Sequence, residues 1–110
     1  MTTIPDWIEV RVIAPRKDPA LEILDAGERE AIQIAEEQRA ELLLIDERMG
    51  REEAKRRGIP TMGTLGVILG AGRRGLVDAE AAYRRLIEGT TFRASPEVRA
   101  MFLRLSGEGR

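Results

Sequence analysis

Between two stretches dense in charge lies an unbroken apolar run, residues 41–45 (ELLLI). Five residues are too few for a stable helix. An apolar run of this length bounded by charge is the pattern of a strand buried on both faces of a parallel sheet. What surrounds it supports that reading. Residues 28–39 place Ala31, Ile32 and Ala35 on one stripe, with Ile34 flanking it, and leave Glu30, Gln33, Glu36 and Glu37 outside, so an amphipathic helix precedes the strand. Residues 46–58 are charged and helix-forming. They close at Gly58, a natural helix stop, with Lys55, Arg56 and Arg57 in the last turn where cations favour the macrodipole. A brief strand over 59–62 follows. Helix, strand, helix and strand at these spacings predict an α/β layered domain with a short, mainly parallel sheet.

The rest of the chain fits one domain spanning residues 1–110. Residues 7–14 (WIEVRVIA) alternate Trp7, Ile8, Val10 and Val12 with Glu9 and Arg11 and end at Pro15, which predicts a further strand with one wetter face. Asp18 and Pro19 form an N-cap with proline at the first helical position, opening a short helix over 20–24 that stops near Gly27. Residues 64–76 are glycine-rich and apolar. A helix over 78–88 is capped by Asp78 and stopped by Gly89, and Ser95-Pro96 opens a last helix through Leu105.

Composition narrows the chemistry. The chain has 110 residues, 18 Lys plus Arg against 19 Asp plus Glu, and neither Cys nor His. Disulfides, thiol nucleophiles, structural zinc and His-dependent triads are therefore excluded, and any catalysis falls to carboxylates. A net charge of −1 provides no global field for nucleic acid or an anionic membrane, so such binding has to be local. No apolar run approaches the roughly 20 residues of a membrane helix, and the start lacks the order of a signal peptide. A soluble cytoplasmic protein with no membrane partner is expected.

Three features carry candidate chemistry. The string Gly70-Ala71-Gly72-Arg73-Arg74-Gly75 matches the dinucleotide fingerprint G-x-G-x-x-G literally. Its mechanism needs a second strand after the following helix and an acid at that strand's end. The sequence offers neither, so the string reads as a glycine-rich turn between short helices, with no dinucleotide and no cofactor-binding residue there. The carboxylates come next. Ligands of parallel sheets sit at the carboxyl ends of strands, and Asp46 follows the apolar run directly. Glu28 opens the helix before that strand, at the same edge. Convergence of Glu28 and Asp46 would make an oxygen-ligand site for Mg²⁺ or Mn²⁺, whereas Asp46 as a cap of the helix it precedes and Glu28 as a first-turn acid would be purely structural. Lastly, Arg48, Arg51 and Lys55 lie at i, i+3, i+7 on the helix leaving that edge. Such a stripe is either a solvated face or a hold on a nucleic-acid backbone.

The segment LDAGEREAIQIAEEQRAELLLIDERMGREEAKRRGIPTMGTLGVILGAGRRGLVD carries a run of motifs: an L-D-x-G-E-x-x-A-I helix start, an L-L-I-D strand end, an R-x-x-A-x-x-x-G helix and G-T-L-G-V. Together they resemble the C-terminal two-thirds of PIN-like proteins related to the toxin ribonucleases of the VapC type. WIEVR and FRASPEV look like the flanks of that pattern, extending the resemblance over about residues 7–108. The resemblance implies a three-layer α/β/α fold and Mg²⁺- or Mn²⁺-dependent endoribonuclease activity, with RNA as substrate and an antitoxin protein as partner. Glu28 and Asp46 match two of the family's acids, as catalytic and metal-binding residues, while Arg48, Arg51 and Lys55 would hold RNA phosphates. The family's opening strand and helices, bearing two further acids, have no counterpart before Met1, and Asp6 and Glu9 do not match their motifs. An N-terminally truncated PIN-like domain with impaired ribonuclease activity and a weak metal site is therefore expected. The alternative is a non-catalytic truncated dimerisation module. Unpaired strand edges further predict a homodimer.

Overall fold

The computed structural model describes residues 3–108. They form α1 (Pro19–Glu22), α2 (Ala26–Gln38), β1 (Leu43–Leu44), α3 (Arg48–Arg56), β2 (Thr61–Met62), α4 (Thr64–Arg73), α5 (Ala79–Gly89) and α6 (Pro96–Glu108). The fold is mixed α/β with a short parallel sheet, consistent with the expected PIN-like α/β/α class. No helix among the described residues is long and apolar enough to cross a membrane.

β1 and β2 pair in parallel, Leu43 opposite Thr61 and Leu44 opposite Met62, with α3 as the crossover. The ladder is extended by Leu43 N–H donating to the Pro60 carbonyl at 2.8 Å and Ile45 N–H to the Met62 carbonyl at 3.0 Å. Alternation along β1 turns Leu43 and Ile45 into a core with Leu21, Leu24, Ile32, Ala35, Ala54 and Ile59. Leu42 and Leu44 face outward and remain exposed. The apolar run is thus buried on one face, not on both as its composition suggested. Gly50, in α3, allows the close approach of helix to strand, since a Cβ there would lie 2.6 Å from Ile45 Cδ1. Gly58 ends α3 at φ +77°, a left-handed conformation that costs glycine little.

The second half packs as a helical trio around Phe102, 1% exposed, whose ring stacks on Tyr83 at 4.9 Å between centroids. Gly70 and Gly72 lie inside α4, and only Gly75, at φ +73°, sits in the turn that follows. The expected glycine-rich turn is therefore mostly helix. Its glycines serve packing: a Cβ on Gly72 would be 3.0 Å from Ala79 Cβ, so its absence brings α4 against the start of α5. The strand–turn–helix geometry of a phosphate cradle is not formed by this string.

Two further expectations change. Residues 7–14 do not form a strand. A strand exists by pairing, and this segment lies beside no sheet edge, leaving Trp7 at 84% and Val12 at 99% exposure. It is tied to α2 only near its end, where buried Gln33 donates to the Ala14 carbonyl at 2.6 Å and Arg16 pairs with Glu36. The resulting arm raises the radius of gyration to 15.8 Å, against about 13 Å for a compact domain of this length. Asp18, expected as a cap, makes no side-chain cap bond. Its carboxylate instead takes two 2.9 Å hydrogen bonds from Arg57, which also reaches Glu36 at 2.9 Å and pairs with Glu53. Arg57, 12% exposed, so joins the segment before α1 to α2 and α3.

Candidate active site at the carboxyl end of β1

The chain leaves β1 through Ile45 and places Asp46 at the sheet edge, where parallel sheets bind ligands. Asp46 does not cap α3, the helix that follows it. It reaches instead to α4, accepting Thr64 N–H at Oδ1 (2.7 Å) and the Thr64 hydroxyl at Oδ2 (2.6 Å). The reason is local. The N-cap position of α4 is Gly63, which has no side chain to satisfy the helix's first donors, so an acceptor has to come from another element. Gly63 is also where the carboxylate comes close: a Cβ there would stand 2.8 Å from Asp46 Oδ1 and 3.7 Å from Arg51 Nη1. Asp46 and Arg51 thus meet over the β2–α4 junction.

Of the basic stripe, Arg51 is the member the fold brings to Asp46. Arg48, 85% exposed in its side chain, donates to Glu52 at 3.0 Å along α3. Lys55 is exposed one turn beyond Arg51. Glu28 sits in the first turn of α2, its backbone N–H donating to the cap residue Asp25 at 2.9 Å. Its carboxylate approaches α3, with Oε2 3.4 Å from the point a Gly50 Cβ would occupy. Partial burial, and then the negative charges of Asp25 and Glu47, hold the Glu28 carboxyl above its ordinary value.

The acids that bear on Glu28 are therefore Asp25 and Glu47, neither of which sequence reasoning had singled out, while Asp46 is engaged by Thr64. Among the described residues no group of three or more acids is placed to hold a metal ion. The donor set does not fit a tight divalent site: one acid already accepts two hydrogen bonds, and the other is biased toward its neutral form. What the edge does contain is a cavity of about 300 Å³, with Asp46 and Arg51 at its polar end and Met62, Leu65, Leu69 and Met101 among its apolar walls. Glu28 does not line it.

Thr64 is the partner that the sequence concealed. It lies 18 positions from Asp46, and no local pattern links them. The available signal was indirect, a Gly-Thr pair opening a helix without a capping side chain.

Comparison with known proteins places this geometry. No curated protein and no solved structure is detectably similar to the chain. A model of the PIN-domain family DUF3368 matches residues 2–108. PIN domains are nucleases as a class and generally depend on divalent metal, and their active edge is a sheet edge bearing acids. The match runs through the whole of the described fold, including the arm, the sheet and the helical trio, and the chain belongs to the PIN-domain family DUF3368.

Proposed function

We propose that this chain is a PIN domain acting on RNA, with the carboxyl end of β1 receiving the phosphodiester backbone. One observation carries the reading: Asp46 and Arg51 come together over Gly63 at the mouth of a cavity, and among the described residues Arg51 has no acidic partner to neutralise it. Arg51 is a free guanidinium suited to a bidentate phosphate contact. Arg48 and Lys55 extend that contact along α3. The Arg48–Glu52 pair is exposed and worth only about 0.3 to 0.5 kcal/mol, so a phosphate readily displaces it.

Asp46 and Glu28 are the acids we assign to the reacting edge. Mg²⁺ or Mn²⁺ bound there would supply charge neutralisation and water activation, at an affinity no tighter than roughly millimolar, because the ligand set is sparse. Hydrolysis is accordingly weak. The toxin type of PIN ribonuclease, held in check by an antitoxin protein in the cytoplasm, is the specific form we favour.

The assay is cleavage of a single-stranded RNA in millimolar Mn²⁺. The reading expects slow endonucleolytic cutting that disappears with chelator and with Asp46→Asn. Cutting that persists unchanged in Asp46→Asn, or no cutting over long incubation, sinks it.

A second reading has its own support. The outer sheet face shows Leu42 at 45% and Leu44 at 62% exposure, and the arm presents Trp7, Val10 and Val12. A strand-patterned arm without a partner and a two-stranded sheet with bare edges fit a homodimer in which the arm of one copy docks on the other. In that reading the chain is a dimerisation module, whether or not it cuts RNA.

A further inference from the structure

We infer that the cavity beside Asp46 is a nucleobase pocket, and that the unit it takes is a nucleoside 5′-monophosphate within single-stranded RNA. This rests on the RNA-acting reading above and adds to it which residues grip the base. The cavity is two-ended. Its polar end is Asp46 and Arg51, from the β1–α3 connection and α3; its walls are Met62 of β2, Leu65 and Leu69 of α4, and Met101 of α6. Its volume of about 300 Å³ lies at the small end of ligand sites, which start near roughly 300 Å³. A single nucleotide matches that size, whereas a folded helix or a peptide segment does not.

The chemistry of the two ends matches the two ends of a nucleotide. Thioethers and branched aliphatics give a polarisable, apolar slot for the face of a flat ring, and methionine sulfur favours aromatic neighbours. Met62 and Met101 reach the slot from different elements and stay partly exposed, at 37% and 46%. Unbranched side chains of this kind adapt to any base, so the pocket discriminates little between purine and pyrimidine. The phosphate goes to Arg51, the cation with no acidic partner. Asp46, fixed by Thr64 and still exposed, is an acceptor for a sugar hydroxyl or a base amino group. The seat of the base is thus built from the helical trio and the sheet together, at the edge where the backbone is held.

The test uses the methyl groups as reporters. The chain has four methionines, of which Met62 and Met101 line the pocket and Met49, on α3, does not. The full chain labelled with ¹³C-methyl methionine is titrated with adenosine 5′-monophosphate, adenosine and inorganic phosphate. Both nucleotide and nucleoside shift the Met62 and Met101 resonances and leave Met49 in place; phosphate alone shifts none of them. Arg51→Gln weakens the nucleotide about tenfold, as loss of a charge-assisted contact does, and leaves the nucleoside unchanged. Val98→Glu, at an exposed position on the pocket's α6 side, abolishes both titrations while circular dichroism and the melting curve stay close to the parent's. Absence of shifts at saturating nucleotide, or equal shifts at Met49, overturns the pocket. Nucleotide binding without RNA cleavage would uphold it and sink the hydrolytic reading; cleavage without these shifts would do the reverse.

Discussion

Asp46 is proposed to be a reacting-edge acid, yet it is also the cap of α4, and those two duties predict a cost that a purely functional acid would not show. Asp46→Ala removes two acceptors from Thr64, at 2.7 Å to its N–H and 2.6 Å to its hydroxyl. Loss of a capping acceptor costs about 1 kcal/mol. The hydroxyl–carboxylate bond is charge-assisted but exposed, and contributes about 1 kcal/mol more. The expected destabilisation is about 2 kcal/mol, a fall in Tm of about 8 °C for a domain of this size. Thr64→Val removes only the hydroxyl bond and should cost about 1 kcal/mol. In the double variant that same bond is absent from both single backgrounds, so the cycle should return a coupling of about 1 kcal/mol. Urea unfolding at pH 7 followed by circular dichroism measures all four corners. An Asp46→Ala variant as stable as the parent, or a cycle with no coupling, would refute the capping argument. Removing an acid from a site kept only for function usually leaves stability unchanged or raises it.

Three other outcomes follow from the packing. Phe102→Ala empties the centre of the helical trio, where Phe102 is 1% exposed against Tyr83; it should cost about 3 to 5 kcal/mol in thermal unfolding, and a loss below about 1 kcal/mol would show that this core is not where the trio is held. Arg57 holds Asp18 and Glu53 below their ordinary values of 3.8 and 4.5, chiefly by its hydrogen bond to Asp18 and, with Arg56, by those to Glu53. Acids with depressed folded values stabilise above their unfolded values and lose that contribution as pH falls, so stability should drop progressively as acid is added below about pH 4.5, and Arg57→Met should flatten this limb; an unchanged acid limb in the variant contradicts the role given to Arg57. Sedimentation at low micromolar concentration should give twice the 12.3 kDa chain mass, and a folded monomer would remove the dimer reading.

Much of this architecture was legible wherever the signal is local. The helical stripe with Ala31, Ile32 and Ala35 became α2, Gly58 stopped α3, and Asp78 and Ser95 capped α5 and α6 with bonds to Ala81 N–H at 3.1 Å and Val98 N–H at 3.2 Å. The start of α2 lay two residues early, because Asp25 rather than a later residue accepts the Glu28 N–H. Non-local choices were hidden. Alternation at 7–14 gives a strand's side-chain pattern but not the neighbouring edge that a strand requires. Glycines in 64–76 suggested a turn because spacing alone does not reveal that Gly72 faces Ala79. At the site, the position of Asp46 at the strand end followed from topology, and Arg51 followed from helical spacing. Its partners did not: Thr64 lies on another element, and the Asp25–Glu28–Glu47 neighbourhood is created by the approach of α2 to α3 at Gly50.

The central claim, that RNA is held where Arg51 meets Asp46, is tested most directly by anisotropy of a fluorescein-labelled single-stranded RNA against two charge reversals. Arg51→Glu and Arg85→Glu, the latter on the exposed surface of α5, change the net charge equally. The account predicts that Arg51→Glu weakens binding at least about tenfold and lowers its salt dependence, while Arg85→Glu binds as the parent does. Equal losses in both variants would mean that RNA responds only to overall charge, and parent-like binding by Arg51→Glu would place the RNA elsewhere on the molecule.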